Sequence, residues 1–157
     1  MKRNHYRTAT VILAVLWIVS AGTLFYFLYF GVARTGSDGR QIVSVTEGEK
    51  QFLLQEMRQL LSAMQQIHMH MGNGDRESAA RAAESVGMNM VDELAAVEGT
   101  ILLKLPAPMK KLGLGTHSEF DNLARTIRSD ASEQRIQKEI GELMTRCVAC
   151  HAAYRLP

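Results

Sequence analysis

The chain has 157 residues, 46% apolar and 22% charged, with ten aromatics and two cysteines. That is one ordinary domain and little more, neither disordered nor disulfide-dense, and too short for a Rossmann domain with a substrate domain. The net charge of +2 hides a split: residues 1–40 carry +4 and residues 41–157 carry −2, so the slightly acidic remainder leaves no nucleic-acid footprint.

In chain order, residues 1–33 read as a cytoplasmic stub and a transmembrane anchor. Residues 8–33 hold no charge and no histidine. As a helix they would run about 39 Å, enough to cross a ~30 Å hydrocarbon core with tilt. Lys2, Arg3 and Arg7 precede the run, and Arg34 and Arg40 follow it with Asp38 between them. The positive-inside bias places the N-terminus in the cytoplasm and the rest on the periplasmic face of the inner membrane. Seven of the ten aromatics fall in the first 30 residues, with Tyr26 and Tyr29 placed as an interfacial belt. A cleaved signal peptide is the competing reading, with Val19-Ser20-Ala21 and Gly31-Val32-Ala33 as small-residue sites. The apolar run exceeds the ~7–15 residues of a signal core, which favours a retained anchor.

Residues 34–46 read as a polar tether, and residues 47–157 as an all-α, up-and-down four-helix bundle. The first helix is expected over 47–71, where Leu53, Met57, Leu60, Met64, Ile67 and Met71 make an apolar seam. Gly72-Asn73-Gly74 ends it. Asp75 can cap an Ala-rich second helix over 76–98, interrupted at Gly87. The stretch from Pro106 through Gly115 reads as a loop. Thr116 with Glu119 predicts a capping box for a third helix over 117–129. Asp130 with Glu133 predicts the start of a fourth over 131–155. The bundle is poor in aromatics, which leaves room for another large apolar body in its centre.

Cys147-Val148-Ala149-Cys150-His151 is C-x-x-C-H, the attachment pattern of haem c. Two thiols form thioethers with the porphyrin vinyl groups, and the following imidazole reaches the iron. On a helix the three residues share one face. A redox dithiol lacks its βαβ context here, and four-thiolate zinc lacks its other cysteines.

The stretch Cys-Val-Ala-Cys-His-Ala-Ala-Tyr-Arg-Leu at 147–156, closing a four-helix chain, resembles the C-terminus of the cytochrome c-prime family. Glu56-Met57-Arg58, Ala63-Met64-Gln65-Gln66-Ile67, Gly74-Asp75 and Gly87-Met88 resemble a branch of that family more weakly. The membrane anchor departs from its usual soluble form. The resemblance implies one covalent haem c with His151 as proximal ligand and Arg155, one turn beyond, near the proximal face or a propionate. It also implies a distal residue from the first helix. Met57 is the preferred distal metal ligand, Met64 the runner-up, and Leu60 the residue that would leave five-coordinate iron. A thioether suits electron transfer, and an apolar distal residue suits binding of nitric oxide or carbon monoxide. His68, His70 and His117 are read as surface or capping residues.

The expected function is therefore one-electron transfer between redox protein partners at the membrane. The chain would act alone, or as a subunit of a respiratory or photosynthetic membrane complex. The alternatives are a gas-binding haem protein and a scaffold with a structural haem. No nucleophile–base pair, paired catalytic carboxylates or phosphate-cradling glycine loop points to an enzyme. Relatives of this kind pair through their first helices, so a homodimer stays open.

Overall fold

The structure is a computed structural model describing residues 2–157, with the side chains of 2–5 and 93–98 excepted. Lys2 and Arg3 ahead of the span, and Glu93, thus lie outside the described side chains. The described residues form six α-helices and three short strands. Helix α1 (Lys2–Phe30) stands apart, its apolar side chains exposed along its length. The stretch Tyr6–Phe30 is long and apolar enough to cross a membrane. The other five helices form the bundle.

Helix α2 (Glu47–Gly72) begins where Thr46 and Glu49 form a reciprocal capping box, and the predicted seam is its buried face. The predicted second helix is broken into α3 (Arg76–Glu84) and α4 (Met88–Lys104). Asp75 caps α3 through Ser78 N, as expected. The break has a specific cause. Asp121, from α5, accepts a hydrogen bond from Met88 N at 2.9 Å and so caps α4. Its carboxylate occupies the place a side chain at position 87 would need, which only glycine permits.

The third helix starts earlier than predicted. Helix α5 runs from Ala107 to Arg128, with prolines at its start, where a missing N–H costs nothing. Thr116 is therefore inside the helix and donates to Leu112 O at 2.8 Å instead of capping. Gly113 and Gly115 are carried through. At Gly115 the missing side chain leaves a channel for Arg146 of α6, which pairs with Glu119 at 2.9 Å. Helix α6 (Glu133–Ala153) is capped by Ser132 through Arg135 N, two residues after the predicted Asp130.

The expected tether is a hairpin. Strands β1 (Ala33–Thr35) and β2 (Gln41–Val43) pair antiparallel, and β3 (Tyr154–Arg155) adds to β2 in parallel. Both ends of the folded domain thus meet in one small sheet. Three-residue strands carry too little alternation to be read from sequence.

Helix α5 is the hub, packing closely on α3, α4 and α6, while α2 packs on α3. The backbones of α2 and α6 seldom come within 8 Å of each other. The core is in two parts. A far cluster joins Met64 and Ile67 of α2 with Phe120 of α5 and Ile136, Ile140 and Leu143 of α6. A near cluster joins Leu53 of α2, Ile101 of α4 and Leu105 just past its end, Met109 of α5, and Val43 and Tyr154 of the sheet. Because Leu53 sits with Tyr154 and Met64 with Leu143, α2 and α6 run in opposite directions.

Candidate functional site

Cys147, Cys150 and His151 occupy the last two turns of α6, brought together by helical spacing as predicted. The burial along this helix is the informative feature. Its core face runs Ile136, Ile140, Leu143, Cys147, Cys150, Tyr154 at heptad-like spacing. Leu143 is 2% exposed and Tyr154 9%, yet Cys147 between them is exposed and Cys150 only half-buried. Met144, Val148 and His151 beside them are exposed as well. The apolar core is interrupted at the level of the two thiols.

Helix α2 is less buried at the same level. On α2, buried Leu53 belongs to the near cluster and buried Ala63 and Met64 to the far one, with half-buried Met57 and Leu60 between. On α5 the buried face continues from Met109 through half-buried Leu112 to Thr116, His117 and Phe120. Cys150 packs on the near cluster, to which Leu53 belongs. Met57 is one turn, about 6 Å, beyond Leu53, and Met64 a further ~10 Å away. Of the two candidate methionines, Met57 is therefore level with the thiols, while Met64 is packed into the far core. No hydrogen bond or ring contact ties Met57 to the α6 motif.

The thiol chemistry separates the alternatives. Partial burial holds both thiols above the usual cysteine range, and Cys147 adds to the shift at Cys150. Both lie at the C-terminal, negative end of a helix, which disfavours thiolates. An attacking redox dithiol needs the reverse, a lowered pKa of the kind a helix N-terminus supplies. Among the described residues no group of three or more His, Cys, Asp and Glu side chains converges as a metal site.

Arg155 lies one turn beyond His151 in sequence, past the end of the helix expected to carry it. The helix ends at Ala153, and Arg155 lies on β3 opposite Ile42. Its Nε is 3.4 Å from Asp38 Oδ2, without the alignment of a hydrogen bond. Asp38 is held below the usual carboxylate range, chiefly by the hydrogen bond from Arg40. Arg40 in turn donates to the carbonyl of His151 at 3.4 Å. The hairpin thus grips the end of the motif, and Arg155 keeps a buried donor unused beside it.

His117 is not a surface residue. It is 3% exposed, with Nδ1 2.8 Å from Val86 O and Nε2 2.8 Å from Glu56 Oε1. It ties α2, α5 and the α3–α4 break together. His68 is exposed, and His70 lies 3.9 Å from Asp75 at the first turn.

The residues present fit a haem c on three counts. Two thiols and an imidazole share one accessible face; burial along α6 is broken where they stand; and neither thiol is tuned for dithiol exchange. Two surface cavities lie elsewhere, one lined by α2 and the α3–α4 break and the other by α5 and α6. No family model matches the chain, and no curated protein or solved structure matches it.

Proposed function

We propose that this chain is a membrane-anchored monohaem c-type cytochrome of cytochrome c-prime type, moving one electron between redox partners at the periplasmic face of the inner membrane. The observation that carries the reading is the exposed Cys147 on the core face of α6, between buried Leu143 and Tyr154, within C-x-x-C-H. Cys147 and Cys150 would hold the group through thioether bonds and His151 through its imidazole. Bound there, a haem supplies a one-electron iron couple. The apolar residues of both core clusters exclude water on either side. Arg155, which the resemblance sets near a propionate, lies beside the motif on β3 and is paired with Asp38. Met57 is the candidate for the sixth position. The span α1 holds the domain at the membrane, which raises its effective concentration for membrane partners.

The test is direct. Full-length protein made with c-type maturation should keep haem through denaturing electrophoresis, and Cys147→Ala with Cys150→Ala should lose it. Free release of haem from the denatured wild type would refute the reading. With Met57 as ligand, the ferrous spectrum is low-spin and unchanged by carbon monoxide, and Met57→Ala converts it to a high-spin, gas-binding form. Prompt carbon monoxide binding by the wild type would instead support the gas-binding alternative.

A further inference from the structure

The exit of α1 is not a flexible linker. Gly31 alone separates the helix from the first domain hydrogen bond, Val32 N to Lys104 O at 2.8 Å. Gly31 has φ +63°, and a side chain there would run into the backbone of Lys104, Leu105 and Pro106. From the other side, Lys110 Nζ donates to Leu28 O in the last turn of α1 at 2.9 Å. The start of α5 is therefore level with the end of the span, and nothing lifts the domain away from it.

Topology decides which end of the bundle this is. The start of α2, the end of α4, the start of α5 and the end of α6 all lie here, joined by the near cluster and the sheet. The turns at 73–75 and 129–132 lie at the other end. Charge follows the same division. At the near end Lys50 takes Glu47, Lys104 takes Glu49, and Arg40 and Arg155 share Asp38. Arg34, Lys110 and Lys111 are left without a carboxylate among the described residues. Leu103 and Val32 are exposed apolar residues at this end. At the far end charge is balanced: Asp75, Glu77, Asp130 and Glu133 stand among Arg76, Arg81, Arg125, Arg128 and Arg135, and Arg76, Arg81 and Arg128 are paired with carboxylates.

We infer that the C-x-x-C-H end of the bundle is seated on the bilayer surface, with Arg34, Lys110 and Lys111 against anionic phospholipid headgroups and the charge-balanced far end turned to solvent. Cations near such a surface are attracted within a Debye length. The inference rests on the anchor half of the proposed function and is independent of the haem. It makes the natural electron partner one that reaches the motif from the membrane side.

The experiment uses the full chain in vesicles of phosphatidylethanolamine with ~30% phosphatidylglycerol and a trace of lipid bearing a photoreactive headgroup. Peptide mapping after illumination should find labels on 34–40 and 107–114 at roughly tenfold the level on 72–76 and 129–133. Equal or reversed labelling overturns the seating. Arg34→Glu with Lys111→Glu should cut labelling of 107–114 about threefold or more in these vesicles and leave it unchanged in neutral ones. Labelling indifferent to the charge reversal overturns the headgroup contact. Failure of the chain to float with the vesicles overturns the anchor and the seating together. Haem staining of the same sample reads the cofactor separately.

Discussion

Replacing His117 with phenylalanine isolates what its buried imidazole contributes to the bundle. The ring is 3% exposed and bonded at both nitrogens, to Val86 O and to Glu56 Oε1, each at 2.8 Å. Val86 O can only accept, so Nδ1 carries the proton in that bond. Phenylalanine fills similar space and supplies no donor. A buried carbonyl left without its donor costs about 1–3 kcal/mol, and the partly shielded Glu56 carboxylate adds roughly 1 kcal/mol. The total is about 3 kcal/mol, which in a domain of this size lowers the melting midpoint by roughly 12 °C. Circular dichroism at the helical minimum, on full-length protein in detergent, measures it. Glu56→Gln keeps a hydrogen-bonding side chain and should cost about 1 kcal/mol. A His117→Phe shift below about 3 °C, or a Glu56→Gln shift as large as that of His117→Phe, would refute the reasoning.

Three further perturbations test the framework around the site. Gly31→Ala demands a left-handed backbone and overlaps the α4–α5 corner, so the corner should open and tryptic cleavage after Arg34 should rise more than about tenfold. Gly87→Ala displaces the Asp121 carboxylate from Met88 N and should cost about 1–2 kcal/mol in urea unfolding, whereas Gly99→Ala, where a side chain meets nothing, should be neutral or stabilising. Arg128 holds the Glu77 and Glu84 carboxyls below their ordinary value of 4.5 through hydrogen bonds, and its own pKa is raised in return. Depressed carboxyl values mean stability that is present above about pH 4.5 and lost as pH falls through the folded values. The melting-point advantage of wild type over Arg128→Ala should therefore be constant near neutrality and shrink steadily in acid.

Where one element dictated its own pattern, sequence and structure agree. The seam from Leu53 to Met71 placed α2 within a residue of its observed ends, and Cys147, Cys150 and His151 lie together because helical spacing requires it. The disagreements arise where a distant residue decides. Thr116 and Glu119 are a sound local cap, but Pro106 and Pro108 start the helix nearly three turns earlier and make the cap redundant. Gly87 was legible as an interruption; that Asp121 is its cause was not, because the two are apart in sequence. Arg155 left the helix because β2 offered backbone hydrogen bonds at its end. His117 carried no sign of burial, since its partners come from α2 and the α3–α4 break. The gap in the core around Cys147 was hinted at only by the scarcity of aromatics after residue 30.

The small sheet also sets an order of assembly. Arg40 and His151, which it brings together, are 111 positions apart, so closing this end requires nearly the whole domain to be in place. Contacts of such long sequence separation form late, because the loop must close before they reward it. The far cluster has no such requirement on the hairpin, since its α6 members, Ile136 to Leu143, precede the two thiols. Folding can therefore proceed from the far end towards the membrane. The end of α6 stays free of the hairpin until β3 joins β2. Docking of the strand then closes the hairpin onto the carbonyl of His151, so the grip of Arg40 is among the last contacts made at this end.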